Sequence, residues 1–150
     1  QKAVNLEPDN ALYHDSLGTT LHAMKRYEEA LAEMQKAVDL EPDNARYHNH
    51  LSIILHKMER YEEALVEMRK AVDLEPDNAL YHCHLGLNLQ KMEQYEEALA
   101  ESQKAVDLEP DNARYHYSLS LILRALGRKK EADAELQRTH ELDPDNPLYQ

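Results

Sequence analysis

The chain has no tryptophan, no phenylalanine, one cysteine, and only three glycines among its 150 residues. The lone Cys83 rules out an internal disulfide framework and gives no zinc spacing, which is compatible with a reducing, cytoplasmic setting. Long hydrophobic runs are missing too. The longest, around 51–55 and 119–123, fall far short of the ~18 residues a membrane-spanning helix needs, and no signal peptide is visible. Positive charge is scarce: 17 Lys and Arg stand against 29 Asp and Glu, for a net charge of −12. That balance argues against nucleic acid as the default partner. Neither a glycine-rich phosphate loop nor an HExxH motif is present. No catalytic activity, cofactor or resident metal is expected.

What the sequence has in quantity is repetition. Glu-Pro-Asp-Asn stands at 7–10, 41–44, 75–78 and 109–112, with the variant Asp-Pro-Asp-Asn at 143–146, so the motif returns every 34 residues. A period of that size marks one supersecondary unit stacked on copies of itself. The frame gives full units at 11–44, 45–78, 79–112 and 113–146. A partial unit, the end of a second helix, precedes them at 1–10, and the start of another follows at 147–150.

Two helices fit inside each unit. In the second unit the first runs over about 45–58, with Asn44 placed to cap it through its side-chain oxygen. Leu51, Leu55 and Met58 fall at i, i+4 and i+7, one apolar stripe. The second runs over 61–74, with Ala64, Leu65, Met68, Ala71 and Val72 as its apolar face. Glu62 and Glu63 in its first turn suit the helix dipole. Pro76 stops it, since the residue before a proline is driven out of the helical region. Small side chains at Ser52, Ala64 and Ala71 allow close approach, and an antiparallel helix pair follows.

This pattern resembles the tetratricopeptide repeat (TPR). The residues carrying the resemblance are Leu17-Gly18, Leu21, Tyr27, Ala30, Met34, Ala37 and Pro42, recurring as Leu51-Ser52, Leu55, Tyr61, Ala64, Met68, Ala71 and Pro76 and again in the third unit. The resemblance covers the whole chain and implies an all-α, right-handed superhelical array of antiparallel helix pairs, an α-solenoid. It also implies a non-enzymatic protein-interaction scaffold that takes a peptide in the concave groove lined by first helices. The family often has glycine in the turn within a pair. Gly127 keeps it, while Lys25, Glu59 and Glu93 replace it. If that turn is left-handed, each replacement costs on the order of 1 kcal/mol. The five-residue carboxylate clamp of some TPR domains is absent, since only Arg114 conforms to it.

Second helices are near copies of one another; the differences gather on first helices, at positions equivalent to Arg46, Asn49, Ile53 and Lys57. Ile53 points about 200° from Leu51, away from the core within its pair. Segments 45–58, 79–92 and 113–126 contain no Asp or Glu, yet carry Arg46, Lys57, Lys91, Arg114 and Arg124. One reading makes these cations a balance to the acidic second helices, with Ile53, Leu87 and Leu121 packing between adjacent first helices. The other makes them a peptide groove. Its anchors are then Arg46, Asn49, His56, Lys57, Lys91, Arg114 and Arg124, its apolar floor is Ile53, Leu87, Tyr117 and Leu121, and it suits an acidic segment.

Eight of the nine histidines also lie on first helices, and exposed ones would add positive charge on mild acidification. His48-x-His50 and His82-x-His84 mimic metal pairs, but i, i+2 spacing splays the rings, so only a site bridging His50 and His84 stays open. A competing use of the chain is head-to-tail self-association into a homo-oligomer. The near-identical units fit an engineered consensus array as well as recent duplication.

Overall fold

The computed structural model describes residues 10–149, so the partial unit expected at 1–10 lies outside the described residues apart from Asn10. Among the described residues all regular structure is helical. The chain divides after Pro76 into two compact units. The first holds α1 (Ala11–Ala23), α2 (Tyr27–Leu40), α3 (Ala45–Lys57) and α4 (Tyr61–Leu74). The second holds α5 (Ala79–Lys91), α6 (Tyr95–Leu108), α7 (Ala113–Ala125), α8 (Lys129–Leu142) and a short 3-10 turn, Pro147–Tyr149. Each odd helix packs mainly on the helix after it, through a three-residue link that makes the pair antiparallel. Within each unit the second helix of one pair then packs on the first helix of the next.

Small residues set the spacing of each pair. Ala30, Ala37, Ala64, Ala71, Ala98, Ala105 and Ala132 are wholly buried, with Met34 and Met68 filling the space between. A Cβ on Gly86 would collide with the Ser102 hydroxyl and lie 3.2 Å from the Ala98 carbonyl, so the α5–α6 crossing leaves a side chain little room there. Ser52, at the equivalent position of α3, converts the close approach into a bond, donating to the Ala64 carbonyl at 2.9 Å.

The links inside the pairs are left-handed, as the isolated glycine suggested. Lys25, Glu59 and Glu93 have φ of 59°, 59° and 58°, and Gly127 has 74°. Each link closes the first helix in the same way. In the second pair Glu59 N–H donates to the His56 carbonyl at 3.0 Å and Arg60 N–H to the Leu55 carbonyl at 2.9 Å. Those bonds satisfy carbonyls the helix leaves unpaired, and they require the left-handed residue.

Asn44 occupies the predicted capping position with extended backbone, but its side chain makes no cap bond. It donates its amide to the Glu41 carboxylate at 3.0 Å instead. Asn10 and Asn112 do accept from helix N–H groups, of Tyr13 and Arg114.

Candidate functional site

First helices contribute three kinds of side chain, and position in the unit decides which. The fourth residue of each is a buried histidine: His14, His48, His82 and His116. Each ring places Nδ1 2.6 Å from a carboxylate on the second helix of its own pair, Glu33, Glu67, Glu101 and Glu135. His48 Nε2 lies 2.6 Å from the Pro42 carbonyl and His116 Nε2 2.8 Å from that of Pro110. In those two residues both nitrogens face acceptors. Lys36 and Lys70 hold the other oxygen of Glu33 and Glu67 at 2.9 Å. At Glu33, burial pushes the carboxyl's pKa up, but the bonds from Lys36 and His14 outweigh it and hold it below the ordinary value. These histidines tie the turn between units to the second helix. They are packed away from solvent.

Within each compact unit the fifth residue of one first helix meets the sixth of the next. Asp15 on α1 is buried and places its carboxylate 2.6 Å from His50 Nδ1 and 3.4 Å from the Arg46 guanidinium, both on α3. Arg46 also lies over the Tyr47 ring, 5.2 Å from its centre. Cys83 on α5 is fully buried and contacts the Ser118 hydroxyl on α7 at 3.5 Å. Burial pushes the Cys83 thiol up, against the opposing effects of Ser118 and Arg114, so it is not poised as a thiolate. Asn49, expected to reach a ligand, is only 4% exposed. Tyr117 packs against Tyr149, with ring centres 5.0 Å apart, which leaves it half-buried.

The remaining expected residues point more freely. Ile53, Leu87 and Leu121 are half-buried at one equivalent position of three first helices, and Lys57 and Lys91 are exposed four residues on. His56 is half-buried, its ring meeting Tyr61 edge-on at 5.1 Å. Arg124 is exposed but drawn toward the second helix, 3.4 Å from Asp133. Arg114 is exposed and donates to His84 Nε2 at 3.1 Å. His22 on α1 has a buried, unpartnered Nε2. Burial first, then Lys57 and His50, lower its pKa from the ordinary 6.5.

Of the expected residues, Ile53, Leu87 and Leu121 are thus the half-buried aliphatic ones, and Lys57, Lys91, Arg114 and Arg124 are exposed cations. Among the described residues no group of three or more His, Cys, Asp or Glu side chains could hold a metal, and no helix is long and apolar enough to cross a membrane. The His–Glu ties escaped the sequence reading. Their signal was present: a histidine and a glutamate each return every 34 residues, 19 apart.

Two family models, both described as tetratricopeptide repeat, match residues 21–83 and 83–147. Among solved structures, MamA 41-end from Desulfovibrio magneticus RS-1 aligns with a TM-score of 0.86 at 25% identity, covering 96% of this chain and 81% of that one. Pseudomonas aeruginosa pilF aligns at 0.84 and 23% identity, covering 93% and 64% respectively. A thermophilic TPR protein of Thermus thermophilus aligns at 0.84 and 22%, covering 93% and 77%. The likeness is one of fold. No curated protein matches the chain.

Proposed function

Because the chain belongs to the tetratricopeptide repeat family, we propose that it is a non-enzymatic interaction scaffold whose first helices receive a peptide segment of a partner, with a preference for an acidic one. The observation that carries this reading is the half-buried aliphatic residue repeated as Ile53, Leu87 and Leu121, with exposed Lys57 and Lys91 four residues on, in helices without a single acid. Half-buried aliphatic side chains offer a partner area to cover, at roughly 25 cal/mol per Å². Neighbouring ammonium groups bias the choice toward negative segments and speed encounter more than they deepen affinity. The four His–Glu ties and the Asp15 bridge belong to the scaffold that presents these helices.

The test is binding of short amphipathic peptides, acidic and basic, followed by fluorescence anisotropy over a salt series, with sedimentation of the protein alone alongside. Acidic peptides are expected to bind more tightly, to weaken with salt, and to lose affinity in Lys57→Glu/Lys91→Glu. Salt-insensitive binding that the double variant leaves intact would refute the electrostatic preference. Binding of no peptide by a protein that sediments as a concentration-dependent oligomer would replace the reading with self-association.

A further inference from the structure

The two compact units are related by a shift of two repeats, or 68 positions, so equivalent residues can be compared directly. In the second unit Arg138, on α8, joins two acids. Its guanidinium lies 3.2 Å from Asp111, in the turn after α6, and 3.4 Å from Glu141 on its own helix. The first unit keeps both acids, as Asp43 and Asp73, but has Lys70 where the arginine stands. Lys70 turns elsewhere and holds Glu67 at 2.9 Å. Asp43 and Asp73 are exposed, and among the described residues neither carboxylate forms an ion pair or a hydrogen bond.

Both acids border one cleft of about 620 Å³, formed by α2, the turn after it and α4. Part of its lining is apolar. Val38, Pro42 and Leu74 supply that part, and Leu74 keeps 39% of its surface exposed. Two further acids on the cleft already have partners. Asp39 accepts from Gln35 at 2.9 Å, and Glu67 is answered by His48 and Lys70. The cleft therefore presents hydrocarbon beside two unanswered carboxylates, in a chain whose net charge is −12.

We propose that this cleft receives an arginine side chain from a segment of a partner protein, with the guanidinium on Asp43 and Asp73 and the aliphatic stem over Val38, Pro42 and Leu74. Two observations choose that occupant. Arg138 shows that this pair of acid positions shares one guanidinium, whose planar fork directs donors to both. The stem of an arginine also covers apolar surface while its charged head stays in water, which suits the mixed lining. A lysine brings a single compact ammonium, and at this place in the fold Lys70 leaves both acids unanswered. Acidic and phosphorylated segments are repelled here. The cleft is built from second helices and the turn after one of them, so the proposal stands apart from the peptide-binding reading of the first helices.

The experiment titrates the isotope-labelled protein, observed by amide NMR, with short capped peptides that hold one arginine among leucine, alanine and serine. Twins carry citrulline or lysine in its place. The arginine peptide is expected to bind about fivefold more tightly than the citrulline twin, the scale of an exposed ion pair. Its amide shifts should gather around Val38, Asp43 and Leu74. Asp43→Asn/Asp73→Asn changes exposed, unpaired side chains and should erase the difference. Lys70→Arg conserves charge yet should erase it too, because the new guanidinium takes the acids as Arg138 does. A preference kept by either variant overturns the seat, as does failure of the arginine peptide to bind at millimolar concentration. A lysine twin that binds as tightly overturns the choice of arginine. Self-association of the protein that Asp43→Asn/Asp73→Asn abolishes would give the cleft to a second copy and overturn the partner.

Discussion

Glycine at position 59 measures what a left-handed turn costs this array. Glu59 has φ 59°, is exposed, and sits where its own N–H and that of Arg60 close α3. An L-residue held in that region loses roughly 1–2 kcal/mol to the contact between its Cβ and the following carbonyl. Glycine removes the contact but gives the unfolded chain more freedom, which returns about 0.4–1 kcal/mol. Glu59→Gly is therefore expected to gain about 0.5–1 kcal/mol, or roughly 1–4 °C in melting temperature for a chain this long. The reverse change has a clean control. A Cβ on Gly127, at φ 74°, would meet nothing within 4 Å, so Gly127→Ala loses the backbone term alone, without a steric one. Thermal and guanidinium melts by circular dichroism read both. A melting temperature that is unchanged or lower in Glu59→Gly, with Gly127→Ala no less stable than wild type, would refute the strain.

Two further outcomes concern histidines, one buried and one half-buried. His48→Leu removes the ring partner of the half-buried Glu67 and should cost about 1–3 kcal/mol in denaturant melts, more than the double change His48→Leu/Glu67→Leu; a double variant as damaged as the single would show that packing, and not the bond to Glu67, is what His48 provides. His22 takes up a proton less readily folded than unfolded, so the unfolded chain binds more protons just below pH 6.5. The stability this gives is present above that value and lost as pH falls through the lowered folded value; His22→Asn should flatten the fall in melting temperature between about pH 7 and 5, and an unchanged slope would refute it.

Much of the fold was legible because helix boundaries are written locally. Pro42, Pro76 and Pro110 stop helices whatever lies around them, and Gly127 disclosed the handedness of a turn that Lys25, Glu59 and Glu93 also adopt. Contacts between helices were less legible. Periodicity tells which side of α3 carries His48, but not that Glu67, 19 residues on, turns to meet it. Asn49 looked like an anchor because it is polar and variable, yet it is buried. Asn44 makes no side-chain cap although Asn112, with the same amide bond to its own glutamate, does; nothing in the structure explains the difference.

Variation among the units therefore has two causes that a single sequence blends. The fifth residue of the first helices is Asp15, Asn49, Cys83 and Tyr117, different in every unit. Where the partner lies in the same compact unit, it follows on the next first helix or its start: Asp15 meets His50 and Arg46, Cys83 meets Ser118, and Tyr117 meets Tyr149. Near-identical repeats risk pairing out of register by a whole unit, since their second helices would fit any neighbour. Distinct junctions oppose that. Setting the helix of Asp15 beside the helix of Ser118 would bury a carboxylate without its histidine, at a cost of several kcal/mol. The fifth and sixth residues are thus spent largely on specifying which helix comes next. The ninth and thirteenth carry no such junction: Ile53, Leu87 and Leu121 stay half-covered and Lys57 and Lys91 reach solvent, which is why the peptide-binding proposal is placed on them.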